Sequence, residues 1–155
     1  MSSIALSPSV AASASSSATS RVVNWGRFAR IGLATVLAAV VANVLVYVLG
    51  DVVVGYDRDF LILGNPSGVA IFTFAAAVVA VLVYGALLRY ARNPVRVFYA
   101  VSAVVFVVTT IPDFTYVSSL EGASNSQTAI LVLTHVVAAA VFVRLLTTRA
   151  RPRSL

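Results

Sequence analysis

Among the polar side chains inside otherwise apolar stretches of the chain, five stand out: Asn43, Thr73, Thr109, Asp113 and His135. Two of them could do acid–base chemistry. An imidazole titrates near neutral pH, and a carboxylate a few ångströms away would share its proton. The amide and the hydroxyls can only exchange hydrogen bonds. In hydrocarbon an unpaired amide, hydroxyl or imidazole is costly, so all five should turn toward other protein and bond across helices. Each therefore carries two readings. Asn43, Thr73 and Thr109 are interhelical glue or ligand contacts; His135 is a structural hydrogen-bonding group or a proton-handling one. Asp113 is a boundary carboxylate or a functional acid. Pro112, immediately before it, removes one backbone hydrogen bond and is expected to kink its helix and turn the carboxylate inward.

The elements that must hold these groups follow from the apolar pattern. With 60% hydrophobic and 10% charged residues and a mean hydropathy of +0.98, the chain of 155 residues is too apolar for a water-soluble domain and needs lipid around it. Four runs, about 28–50, 67–88, 97–116 and 128–146, each have the roughly 17 to 25 residues that cross a hydrocarbon core. Short polar breaks separate them: GNPSG, with Ser67 as the expected helix cap, then RYARNPVR and EGASNSQ. The expected fold is an all-α antiparallel bundle of four transmembrane helices over residues 27–149. Residues 1–26, opening MSSIALSPSVAASASSSATS, should form a disordered Ser/Ala-rich tail, and residues 150–155 a short basic one. The first run is longer than the hydrophobic segment of a signal peptide and reads as a retained anchor. The second and fourth runs echo each other weakly, a likeness that shared membrane composition also produces.

Counted from the outer end of its helix at about 1.5 Å per residue, each of Asn43, Thr73, Thr109 and His135 lies roughly 9 to 11 Å deep. Asp113 falls about one turn further out on the Thr109 face, so that a meeting with His135 would need the kink, a water or Thr109 between them.

Orientation rests on the arginines. Arg21, Arg27, Arg30, Arg89, Arg92, Arg96, Arg144, Arg149, Arg151 and Arg153 fall on one side of a four-pass topology, with only Arg58 and all five acids on the other. By the positive-inside rule both termini are cytoplasmic, in a multi-pass protein of the cell's inner membrane. Its net charge of +6 does not signal nucleic acid, because the basic residues sit at the ends of apolar segments. Without cysteine, and with a single histidine, neither a metal nor a cofactor is expected, and no enzyme signature stands out.

Two segments, RNPVRVFYAVSAVVFVVTTIPDF and LVLTHVVAAAVFV, resemble a family of small prokaryotic four-helix membrane proteins that carries only a domain-of-unknown-function label. Arg92, Pro94, Pro112, Asp113 and His135 match its pattern of a basic-Pro loop, a Pro-Asp helix end and a histidine in the fourth helix. The resemblance spans about 28–149 and implies that these residues belong to a shared architecture, without supplying an activity. The leading expectation is a structural, assembly or regulatory partner surrounded by lipid, working with a second copy of itself or another membrane protein. The alternative is a small proton-coupled carrier using Asp113 and His135; a membrane enzyme acting on lipid or quinone comes third.

Overall fold

The computed structural model describes residues 23–57, 63–120 and 122–150; the expected N-terminal tail before Val23, the basic tail after Ala150, Arg58 and Glu121 lie outside them. Among the described residues the fold is all-α. Its helices are α1 (Trp25–Val54), α2 (Pro66–Tyr90), α3 (Pro94–Thr115) and α4 (Asn125–Arg149), with one 3-10 turn, Val117–Ser119, after α3. Each of the four is long and apolar enough to cross a membrane.

The helices begin earlier than the apolar runs, and their caps explain why. Asn24 accepts a hydrogen bond from the Arg27 amide at 2.9 Å, so Trp25 and Gly26, expected in the tail, are already helical. Asn65, not Ser67, caps α2: its Oδ1 accepts from the Ser67 amide at 2.9 Å and the Ser67 hydroxyl at 2.8 Å, with Pro66 in the first turn, where its missing amide costs nothing. Pro94 has the same role in α3, and Ser124 caps α4. At 30 residues, α1 runs about 45 Å, more than a hydrocarbon core is thick, so it tilts or projects.

Packing divides into three clusters. At the arginine end, Tyr84, Leu88, Phe98, Leu146 and Ala150 are buried together, with the Tyr84 and Phe98 rings edge to face at 4.9 Å. Here Arg27 also donates to the last-turn carbonyl of Arg149 at 3.1 Å, tying α1 to the end of α4. In the middle, the small residues Ala39 and Ala77 let α1 and α2 approach closely beside Val36. At the far end lies a cap. Tyr47, Tyr56, Leu63, Val117 and Leu131 are buried there; Tyr47 donates to the Leu63 carbonyl at 2.9 Å and Tyr56 to the Tyr47 carbonyl at 3.0 Å. Gly55, at φ 68°, ends α1 in a conformation that side-chain-bearing residues rarely adopt. The turn that follows is pinned by Asp51, which accepts from the Tyr56 amide at 2.9 Å. Burial, then the charge of Asp51, then Tyr47 push the Tyr56 phenol up to about 12, so it stays a neutral donor. Gln127, with its amide turned to match donors to acceptors, donates to the Gly122 carbonyl and accepts from the Asp57 amide, both at 3.1 Å.

The outward faces carry Leu33, Leu37, Leu45, Ile71, Phe72, Val104 and Phe114, all more than half exposed. Water would penalise such a surface and a bilayer does not.

Candidate functional site

Between α2 and α3 the bundle is not filled. A three-residue turn, 91–93, and the Tyr84–Phe98 ring pair hold these helices together at the arginine end. Above that pair their facing sides line a lateral groove of about 300 Å³, with Val79 and Val83 on one wall, Val101, Val105 and Thr109 on the other, and Ala138, Ala139 and Phe142 of α4 as the floor. A second cavity of about 380 Å³ continues toward the cap, and its lining is more polar: Asn43, Thr73, Asp113, Thr134 and His135. Val117 and Leu131, members of the cap cluster, also line it. Ala76, His135 and Ala138 border both spaces, so the histidine stands where groove and chamber meet.

Asn43 and Thr73 meet, the Asn43 amide nitrogen lying 3.0 Å from the Thr73 hydroxyl with both side chains buried. That contact satisfies one end of the amide; the Asn43 oxygen has no hydrogen-bond partner. Thr109 is not in this layer. It is exposed on the groove, and its hydroxyl turns back to the carbonyls of Val105 and Phe106 at 2.8 and 3.2 Å. Its neighbour Thr110 is the buried one, bonded to the Phe106 carbonyl at 2.7 Å. Adjacent helical residues point about 100° apart, and only the rotation of α3 in the bundle decides which faces in.

Asp113 and His135 come together without an intermediary. Nδ1 of His135 lies 3.4 Å from Oδ2 of Asp113 and 2.9 Å from the Leu131 carbonyl. A carbonyl only accepts, so Nδ1 carries the proton and the next proton must go to Nε2. The hydrogen on Nδ1 serves Leu131, which leaves Oδ2 beside the ring but without a hydrogen bond, although Asp113 is 6% exposed. The expected offset of one turn was counted from each helix's own end, and those ends are not level: nine residues, 116–124, including the 3-10 turn, connect them. The helix runs on through Pro112 to Thr115, and Asp113 sits beneath the Val117 side of the cap rather than at an open boundary.

Thr134 escaped the sequence reading. It is buried on the chamber and donates to the Leu131 carbonyl at 2.7 Å. The signal available for it was its place beside His135, which does not say which of two neighbouring residues faces in. The seven arginines that the positive-inside argument places at the membrane edge, Arg27, Arg30, Arg89, Arg92, Arg96, Arg144 and Arg149, all fall near the end where α1 begins and α4 stops, away from this chamber. Among the described residues no group of three His, Cys, Asp or Glu side chains could hold a metal ion.

Four helices, each long and apolar enough to cross a membrane, define the class, a multi-pass membrane protein. The chain belongs to DUF6069, a family of unknown function, which it matches over residues 23–152. Searches of curated proteins and of solved structures each found no match.

Proposed function

We propose that this chain is a small proton-coupled carrier whose working groups are Asp113 and His135. The observation that carries this reading is the position of His135 at the junction of two cavities, 3.4 Å from a buried carboxylate oxygen. A structural or assembly partner calls for a bundle packed through its centre, as α1, α2 and α4 are around Val36, Ala39 and Ala77. The space between α2 and α3 has the opposite character. A pair able to hold zero, one or two protons, placed where a ligand can lodge, couples occupancy to protonation by electrostatics alone.

The absence of cysteine makes access directly testable. In nanodiscs, Thr134→Cys should react with a charged, water-borne thiol reagent, whereas Leu37→Cys on the hydrocarbon-facing surface should not. A Thr134→Cys protein labelled only by a lipid-soluble reagent would mean that no aqueous route reaches the chamber, and the carrier reading would fall.

In this reading successive helices run antiparallel, both termini face the cytoplasm and the chamber opens nearer the opposite side, in a cell membrane. The arginine distribution supports that orientation. Reporter fusions should place the two termini and Arg92 inside and Asp57 outside; termini on opposite faces would overturn it.

A further inference from the structure

We infer that the ligand is a single-chain amphiphile with a protonated amine as its head, which takes the place of a proton at Asp113. This rests on the carrier reading and names its substrate class. Two observations lead to it. The first is the surplus of acceptors: Oδ2 of Asp113 and the amide oxygen of Asn43 are buried and lack donors, in residues 6% and 3% exposed. Turning the Asn43 amide would trade its free oxygen for a free nitrogen, but Asp113 has no such alternative. A carboxylate at membrane depth must be neutralised by a proton or by a partner cation. Among the described residues no arginine lines either cavity. Among the described residues His135 is the one neighbouring group that could supply that cation, and its Nδ1 hydrogen is directed at Leu131. A ligand head with N–H donors and a positive charge supplies both what the oxygens lack and what the carboxylate requires.

The second observation is the groove. Its lining is apolar apart from Ser102, Thr109 and His135, and it opens sideways between α2 and α3, the direction from which a lipid-soluble molecule arrives. From Phe98 to Thr109 it follows about 16 Å of helix rise, the length of an extended chain of about twelve carbons. An amphiphile lying there brings its head to His135 and Asp113. The exchange balances. The carboxylic acid of Asp113 gives up its proton, the ammonium donates hydrogen bonds to the resulting carboxylate, and the charge of the site is unchanged. Of the side chains that α1, α2, α3 and α4 present to the two cavities, only Asp113 and His135 titrate. A proton on either opposes the cation, so raising the pH should favour binding.

His135 is the only histidine, so its ring gives a single NMR reporter at the site. Protein labelled at histidine, in nanodiscs, is titrated with dodecylamine, dodecanol and dodecanoate, which share a chain and differ in the head. Dodecylamine should shift the His135 resonance saturably and at least about tenfold more tightly than dodecanol, as a charge-assisted bond outdoes a neutral one. Dodecanoate should not bind. Affinity for the amine should rise with pH, with release of protons into a weakly buffered sample. Asp113→Asn should abolish the preference for amine over alcohol. Val105→Trp, which fills the groove without touching Asp113, should weaken amine and alcohol alike while leaving the free-state His135 signal in place. Equal binding of the three heads, binding of dodecanoate, or an undiminished amine preference in folded Asp113→Asn would each overturn the proposal. Failure of dodecylamine with Thr134→Cys still open to water-borne reagent would remove the ligand class and leave the carrier; a closed Thr134 would remove the carrier itself.

Discussion

Gly50→Ala should open the far-end cap and lower the stability of the bundle by about 1–3 kcal/mol, the range for a methyl forced into a filled site. A Cβ built at Gly50 overlaps the Tyr56 hydroxyl and comes within 3.1 and 3.2 Å of Ile130 side-chain carbons. The hydroxyl has little freedom to retreat. It donates to the Tyr47 carbonyl, its ring packs on Tyr47 at a centroid distance of 5.0 Å, and its backbone amide is held by Asp51. Displacing Tyr56 therefore disturbs Tyr47 and, through it, the Leu63 carbonyl. Gly50→Leu should be worse, because its longer side chain strikes Ile130 as well. Reversible unfolding in mixed micelles measures both effects, and Tyr56→Phe in the Gly50→Ala background should recover part of the loss by removing the oxygen that is struck. If Gly50→Ala is as stable as the parent, the cap does not close on α1 in the way described.

The second large effect concerns Asp113 and His135 in the absence of any ligand. Asp113→Asn and His135→Gln should each destabilise the bundle, and the double mutant should lose less than the sum of the two by about 0.5–3 kcal/mol, the coupling expected of groups in contact. Their separation of 3.4 Å and the burial of the carboxylate motivate this. Strict additivity would separate the pair and leave Asp113 as an isolated polar group.

What the sequence determined by itself is the number of membrane-capable helices, their approximate extent and the segregation of arginine, because these are sums over local composition. Hydrocarbon thickness sets a length, and apolar runs such as 67–88 either meet it or do not. The apolar runs place the starts of α2 and α3 one and three residues late, since the Asn-Pro pairs at which these helices begin are not apolar; Asn65 caps α2 with its side chain, whereas Asn93 precedes α3 without a side-chain cap bond. In α1 Gly32, Val36, Ala39, Asn43 and Gly50 fall on one stripe at helical spacing, and all five are buried. Tertiary structure decided the remainder. A transmembrane helix is apolar on its lipid face and on its protein face alike, so hydrophobic periodicity scarcely reports its rotation, and Thr109 could not be told from Thr110, or His135 from Thr134. Nor does depth along a helix reveal how its end is set against its neighbour's, which is why Asp113 and His135 meet directly. The cavities were beyond reach for the same reason: they are the space left where α2 and α3, held together by Tyr84 and Phe98 at one end, leave α4 uncovered above, and no local sequence records a separation between helices.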